Sequence, residues 1–319
     1  MSNLMELLKV LEHSYLLKQN IKVTPEWFAG FIEAEGHFHG KVGQQPFFTI
    51  SQHAADYQLM ETLSEYIGHG KVRLAVRPDG RSEAILTIYN KEVLKNKIIP
   101  ICSEHFITKN KSAQFMEWVN AHFPEYKSIV LPNSSKSIHP QWLAGFVDGD
   151  GSFYTLTHKA KDYKCGYQVQ AVFDIAQLDS ERSLLNRIGK EIFGSHHKWA
   201  KSKDTQHLRI MSQKGLFEKV EPFFDNNKLL TRKRFDFVIW KEMLKTIKNK
   251  EHTTIEGLAK INELRELQNH YRLNVSSGVQ ELINQKLNVS LKVQESNNDN
   301  SEYYPEVQEF IDKNSPENE

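Results

Sequence analysis

Four carboxylates in this chain fall into two short runs of the same design. Residues 24–36 read TPEWFAGFIEAEG and residues 139–151 read HPQWLAGFVDGDG. Each run ends with two acids one residue apart, Glu33 and Glu35, then Asp148 and Asp150. If both runs are helices lying parallel, Glu35 and Asp150 arrive side by side at their C-terminal ends. That is a poor place for two anions, which repel each other and oppose the negative end of the helix dipole. Divalent cations resolve the conflict. Mg²⁺ takes a few carboxylates and completes its shell with water and phosphate oxygens, an arrangement that suits two-metal phosphodiester hydrolysis. One such pair would read as solvent-facing helix-end acids; its repetition selects the chemical reading.

The elements around the runs are those needed to bring the acids together. Thr24 is placed to cap a helix with Pro25 at its first position, and Pro140 takes the matching place. Phe28 and Ile32, like Leu143 and Val147, lie four apart and can face a core. Gly30 and Ala34, and Gly145 and Gly149, share that spacing, and small residues so placed let two helix backbones approach closely. Downstream of each run the pattern is coarse but repeated. Strand-like stretches at 37–43 and 46–53 precede a helical stretch at 54–67, strands at 70–77 and 83–90, and helices within 91–122. The second series is 152–159, 165–177, 178–193, 196–203, 206–211 and 213–248. The expected fold is therefore α+β, two pseudo-symmetric αββαββα subdomains, each a four-stranded antiparallel sheet backed by helices, with the two motif helices at the interface. The division expected is 1–122 and 139–250, joined by a linker at 123–138 that carries Pro124, Pro132 and Asn133-Ser134-Ser135. A helix over 251–275 follows, then an acidic, polar tail at 276–319 of the composition that stays poorly ordered.

Composition excludes several classes. With 319 residues, 39% hydrophobic and 25% charged, the chain reads as a globular protein of about two domains. No apolar run approaches the ~20 residues of a membrane span. Glu6 and Glu12 in the first twenty residues argue against a secretory or transit peptide; Leu4, Leu7, Leu8 and Leu11 make an amphipathic helix instead. Cys102 and Cys165 are too few for a zinc site or a disulfide framework, which points to a reducing, intracellular setting, a bacterial cytoplasm or an organelle. The net charge of +1 hides a division. Residues 251–319 hold thirteen Asp and Glu against six Lys and Arg, a balance of −7, which leaves +8 on residues 1–250. A basic front half is compatible with a polyanionic partner.

WLAGFVDGDG at 142–151 resembles the signature of the LAGLIDADG homing endonucleases, and WFAGFIEAEG at 27–36 resembles a divergent second copy. Two copies in one chain resemble the monomeric members of that family, and the likeness covers residues 20–250. The segment at 249–266 also resembles a C-terminal segment of these proteins. The resemblance implies Mg²⁺-dependent cleavage of both strands of a long, partly asymmetric DNA site, leaving short 3′ overhangs. It makes Glu35 and Asp150 the acids that hold metal, with Ala34 and Gly149 beside them in the expected metal set, and leaves Glu33 and Asp148 structural. It further implies a water-orienting Gln at the end of each second strand, Gln52 and Gln177. It also implies a basic residue at the start of each late helix: Lys109, with Lys111 as competitor, and Lys233, with Arg232 as competitor.

The strands suggest how such a site would be read. His37, His39 and Lys41 alternate with Phe38 and Val42, and Lys71, Arg73 and Arg77 with Val72, Leu74 and Val76. Gln168, Gln170, His207 and Arg209 alternate with Val169, Ala171, Leu208 and Ile210, and Tyr154 and Lys198 complete the expected DNA-facing set. Period-two patterning gives each sheet one apolar face for helices and one polar face for a partner, with side chains suited to major-groove edges and phosphates. Two rivals keep the same fold: a maturase that binds its host intron RNA, and a DNA-binding protein without catalysis.

Overall fold

In the computed structural model of the protein, the structure describes residues 2–16, 22–77, 81–128, 137–163, 165–194, 198–202 and 204–273. Most of the expected linker (129–136) and the whole tail (276–319) lie outside the described residues.

The chain folds as the repeat demands. An N-terminal helix α1 (Ser2–Leu16) precedes the first motif helix α2 (Pro25–Glu35), which runs into strands β1 (Gly36–His39) and β2 (Phe47–His53). Helix α3 (Tyr57–Ile67), strands β3 (Lys71–Val76) and β4 (Ser82–Ile88), and helices α4 (Lys91–Val93), α5 (Ile99–His105) and α6 (Lys109–His122) complete the first half. The second half repeats this with α7 (Pro140–Asp150), β5 (Gly151–Lys159), β6 (Tyr167–Leu178), α8 (Arg182–Glu191), β7 (Lys198–Ser202) and β8 (Thr205–Ile210). It closes with α9 (Gln213–Gly215), α10 (Glu221–Asn226) and α11 (Lys233–Lys248), and α12 (Ile255–Leu273) follows. Both sheets are antiparallel and share one order, β1-β2-β4-β3 and β5-β6-β8-β7.

Each motif helix starts as its sequence requires. The Thr24 hydroxyl accepts from the Trp27 N–H at 3.2 Å, His139 Nδ1 accepts from the Gln141 N–H at 3.3 Å, and proline fills the first turn of both. Phe28, Ile32, Leu143 and Val147 are wholly buried.

The two glycines at the helix crossing decide the packing. A Cβ on Gly30 would overlap the carbonyl oxygen of Trp142, and one on Gly145 would overlap that of Trp27. A Cβ on Gly149 would run into the Ala34 side chain. Because like positions meet like along both helices, α2 and α7 run parallel, backbone against backbone, and their C-terminal ends coincide.

Two of the expected strands end early. β1 stops at His39, so Lys41 and Val42 lie in the turn beyond it, with Val42 83% exposed. β3 stops at Val76, itself 56% exposed, and Arg77 follows it. The apolar alternation holds where the sheet is covered by helices, at Phe38, Val72 and Leu74, and lapses where the strands outrun that cover. Helix α1 buries Leu4 and Leu8 while Leu7 stays 45% exposed. No helix among the described residues is long and apolar enough to cross a membrane.

Candidate active site

Each motif acid alternates in role with its neighbour because helical residues two apart point to different sides. Glu33 turns inward. Its Oε1 accepts from Ile107 N–H (2.9 Å), Thr108 N–H (2.6 Å) and the Thr108 hydroxyl (2.7 Å), and its Oε2 from the Trp142 indole (2.6 Å). Asp148 repeats this with Leu230 N–H, Thr231 N–H, the Thr231 hydroxyl and the Trp27 indole at 2.8, 3.0, 2.6 and 2.9 Å. Each first acid thus ties its own motif helix to the start of the late helix in its half and to the tryptophan of the other motif. The exchange of tryptophans is reciprocal, so the acids also lock the two halves in register.

Burial pushes the Glu33 carboxyl up to about 8 against the pull of its donors. All four contacts are N–H or O–H groups, which suits the ionised form. Glu33→Gln would turn an amide N–H₂ against one of these donors. It should cost about 1–3 kcal/mol of stability by chemical denaturation, the price of leaving a buried polar group unmatched. Because the Trp142 indole is a shared partner, Glu33→Gln and Trp142→Phe should be less than additive; full additivity would show that the two side chains do not cooperate.

Glu35 and Asp150 line one cleft of about 470 Å³ at the ends of α2 and α7. Gln52, at the end of β2, donates to Glu35 Oε1 at 2.8 Å, and Gln177, at the end of β6, donates to Asp150 Oδ2 at 2.5 Å. Both glutamines lie on the inward face of their sheets, so they reach the acids from below. Burial, and then the charge of Asp150, push Glu35 up to about 7; burial pushes Asp150 up to about 6.

The cations around this pair differ from expectation in the first half. Lys111, not Lys109, turns its ammonium group toward the acids, donating to the Gly36 carbonyl at 2.7 Å, within electrostatic reach of Glu35 and Asp150. Lys109 gives its backbone N–H to Glu181. It opens α6, and a side chain two positions later in that turn is the one rotated inward. In the second half Lys233 lies half-buried and donates to the Val147 and Gly149 carbonyls at 2.9 and 2.6 Å, while Arg232 gives its backbone N–H to Asp56. The Gly149 carbonyl is therefore already engaged by an ammonium group. Ala34 and Gly149 meet across the helix pair, where their smallness permits the approach. Lys111→Ala should accordingly depress the activity of this site by ten-fold or more, on the order of one lost charge contact, with Lys109→Ala near wild type; equal losses would place both lysines at the acids.

Four residues near the site carry roles that their motifs did not advertise. Glu181 accepts from Lys109 N–H (3.0 Å) and Asn110 N–H (2.7 Å), and Asp56 accepts from Arg232 N–H (2.8 Å). The junction acid of each half thus caps the late helix of the other. A signal existed: both acids stand four residues after Gln52 and Gln177. Thr108 and Thr231, which hold the first acids, likewise stand just before the basic positions.

The outward sheet faces hold much of the expected nucleic-acid set. In the first half Lys71 and Arg73 project from β3, and His37 and His39 from β1. The His39 ring lies 2.8 Å from the Thr49 hydroxyl and stacks on Phe47, and burial, with the neighbouring His37 and Lys111 charges, pushes it down to about 4. Lys41 stands on the turn past β1, its N–H held by the Gln44 side chain. Arg77 stands past β3 and pairs with Glu83 at 2.5 Å, so its charge is internally matched. In the second half Gln168, Gln170, Tyr154, His207 and Arg209 share one face. Lys198 opens β7 opposite Arg209 in the ladder, and its side chain lies outside the described residues.

Two pseudo-symmetric halves, paired by glycine-faced parallel helices that converge two acids in one cleft, define a protein class. The chain belongs to the LAGLIDADG endonuclease family, whose pattern matches residues 28–122 and again 143–244. An uncharacterized cox1 intron-2 37.2 kDa protein of Schizosaccharomyces pombe is 30% identical over 254 residues, 78% of this chain and 73% of that protein. Probable intron-encoded endonuclease 2 of Neurospora crassa is 34% identical over 170 residues, and the matched region spans only 36% of its length. Among solved structures, the meganuclease I-SmaMI bound to uncleavable DNA with a TTGT central four superposes with a TM-score of 0.63 at 25% identity, covering 77% of this chain and 96% of that one. I-SmaMI bound to cleaved DNA gives 0.65 at 23% identity, over 79% and 99%. A further I-SmaMI structure, on uncleaved target in the presence of calcium ions, gives 0.63.

Proposed function

We propose that this member of the family hydrolyses one phosphodiester in each strand of a long, partly asymmetric DNA duplex, acting as a monomer because both halves of the site come from one chain. One observation carries the reading: Glu35 and Asp150, delivered by separate copies of the motif, share one cleft, where the charge of Asp150 raises the cost of ionising Glu35. Oxygen-only donors of this kind fit a hard divalent cation such as Mg²⁺. Among the described residues no third His, Cys, Asp or Glu joins them in a metal-holding cluster, so phosphate oxygens and water would complete the shell, as Mg²⁺ prefers. When bound, Mg²⁺ supplies Lewis-acid charge that eases ionisation of the attacking water and stabilises the leaving oxygen.

The chain's own groups do the rest. Gln52 and Gln177 hold the two carboxylates in fixed rotamers, and their amides border the space a nucleophilic water would occupy. Lys111 and Lys233 place positive charge at the rim, where a scissile phosphate would gain charge in the transition state. The subdomains 1–122 and 139–250 would each cover one half-site with the outward sheet face, and the basic excess of residues 1–250 would attract the duplex.

The deciding experiment is digestion of plasmid DNA carrying the uninterrupted host gene, with Mg²⁺ or Ca²⁺. Linear product with Mg²⁺ and a stable uncut complex with Ca²⁺ are expected. Binding of host intron RNA with no cleavage of any DNA would favour the maturase reading instead. The intron-encoded fungal relatives agree with an intracellular nuclease of an intron. Affinity for target duplex should fall steeply between 50 and 200 mM salt, by about 10³-fold or more if some six phosphates are contacted; an affinity indifferent to salt would remove the basic sheet faces from the picture.

Proton linkage offers a second check. The folded acids ionise above the ordinary carboxylate range, so the pair favours the metal-free fold at low pH, and that advantage is lost as pH rises through about 6–7. A divalent ion requires both ionised. Calorimetric titration with Ca²⁺ should therefore release more protons at about pH 6 than at about pH 8.5, and equal release at both would mean that the ion binds elsewhere.

A further inference from the structure

The two outward sheet faces are built on the same register but not with the same chemistry. In the second half, Asp174 on β6 lies directly across the ladder from Arg209 on β8. Its carboxylate collects three of the residues expected to face DNA. Arg209 Nε donates to Oδ2 at 3.0 Å, His207 Nδ1 lies 3.0 and 3.1 Å from the two oxygens, and the Tyr154 hydroxyl donates to Oδ2 at 3.2 Å. Asp174 itself is only 7% exposed, while the Arg209 side chain is 31% exposed. The corresponding place in the first half is held by Thr49, opposite Thr87 on β4 and His37 on β1, with the His39 ring at its hydroxyl; Lys71 and Arg73 stand on β3 across from Thr87 and Ile85. Basic side chains are present there too, but Thr49 offers them no carboxylate.

A carboxylate on a surface meant for DNA opposes the phosphates unless it serves another side chain. Here it matches the charge of Arg209, so this part of the face offers little net attraction to a backbone. What it offers is orientation. Arg209 is held through Nε, with Nη2 3.4 Å from the His207 ring, and among the described residues Nη1 makes no hydrogen bond or ion pair. A fork pinned at its root presents its outer N–H groups in one plane, which is the geometry that pairs with O6 and N7 of guanine. A loose arginine would as readily take a phosphate.

We infer that Asp174 is a positioning residue for specificity, fixing Arg209, with His207 and Tyr154 as flanking supports, to read one guanine in the half-site covered by the second sheet. The first half, with Thr49 in its place, makes no equivalent demand, which contributes to an asymmetric target. This inference rests on the DNA-cleaving function proposed above.

The test is selection of bound duplexes from a fully randomised pool in Ca²⁺ by the full chain and four variants, with folding checked by thermal melting. Wild type should enrich guanine at one position in one half-site. Arg209→Ala should lose that guanine, by about ten-fold or more in relative enrichment, with the other positions intact. Asp174→Asn should lose it at the same position, and the double variant should lose no more than either single one. Thr49→Ala should leave that position unchanged. Retention of the guanine by Asp174→Asn, or a uniform loss across all positions in Arg209→Ala, would overturn the inference and make Arg209 a phosphate contact. Should Asp174→Asn melt before selection, Asp174→Thr decides: it carries the residue that holds the matching place in the first half, and guanine must again be lost at that position. Failure of wild type to enrich any duplex would bring down the nuclease reading and this inference together, whereas enrichment that is indifferent to both residues brings down the inference alone.

Discussion

Replacing Asp150 by Asn, or Glu35 by Gln, should abolish cutting of both DNA strands at once while leaving binding in Ca²⁺ largely intact. The two carboxylates come from different copies of the motif but border one cleft, and the charge of Asp150 helps to push Glu35 up. If divalent charge is shared between them, either amide removes a ligand that both strands depend on. Loss of several kcal/mol of transition-state stabilisation corresponds to a fall of about 10³-fold or more in rate. Quantifying nicked and linear plasmid after single-turnover digestion separates the possibilities. A variant that still nicks one strand at the wild-type rate would mean two independent sites, each with its own acid. Binding should survive because the amides keep the shape and their glutamine contacts. Gln52 donates to Glu35 Oε1, and the Oε1 of a glutamine at position 35 can still accept.

The second large effect is on the fold. Gly145→Ala should destabilise the protein by roughly 3 kcal/mol or more, the upper end of what overpacking costs. The sign is the informative part. In an exposed helix interior the same change stabilises by about 1 kcal/mol, because alanine is the better helix former. Here the new Cβ would sit on the Trp27 carbonyl oxygen, a backbone atom of a buried helix that cannot turn aside as a side chain would. The helices must separate, and with them the two acids, so activity should fall further than stability explains; a shift near 1 Å at a catalytic group can cost on the order of 10²-fold. Gly30→Ala, meeting Trp142 in the same way, should behave alike. Denaturant melts of both variants check this, and a neutral or stabilising result would mean that α2 and α7 are not in backbone contact in solution. By contrast Gly43, in a turn with open space around it, owes its glycine to a positive φ of 87° and should show a smaller loss on substitution.

How much of this was legible in the amino-acid sequence follows from the range of the forces involved. The repeat, the capped motif helices, the small residues on one face and the order of strands all rest on local preference and on hydrophobic period, which are written along the chain. They determined the two-copy fold and pointed to Glu35 and Asp150; Gln52 and Gln177, which the family resemblance singled out at matching strand ends, do reach the acids. The reciprocal indole contacts of Trp27 and Trp142 with Asp148 and Glu33, the cross-caps by Asp56 and Glu181, the inward turn of Lys111 in place of Lys109, and the gathering of Tyr154, His207 and Arg209 on Asp174 were decided only in three dimensions. Each of these depends on how two halves dock, how a helix is rotated or how strands pair, which brings together residues far apart along the chain. A hydrogen bond depends on tenths of an ångström and on helix rotation, and neither is encoded in residue type or spacing alone.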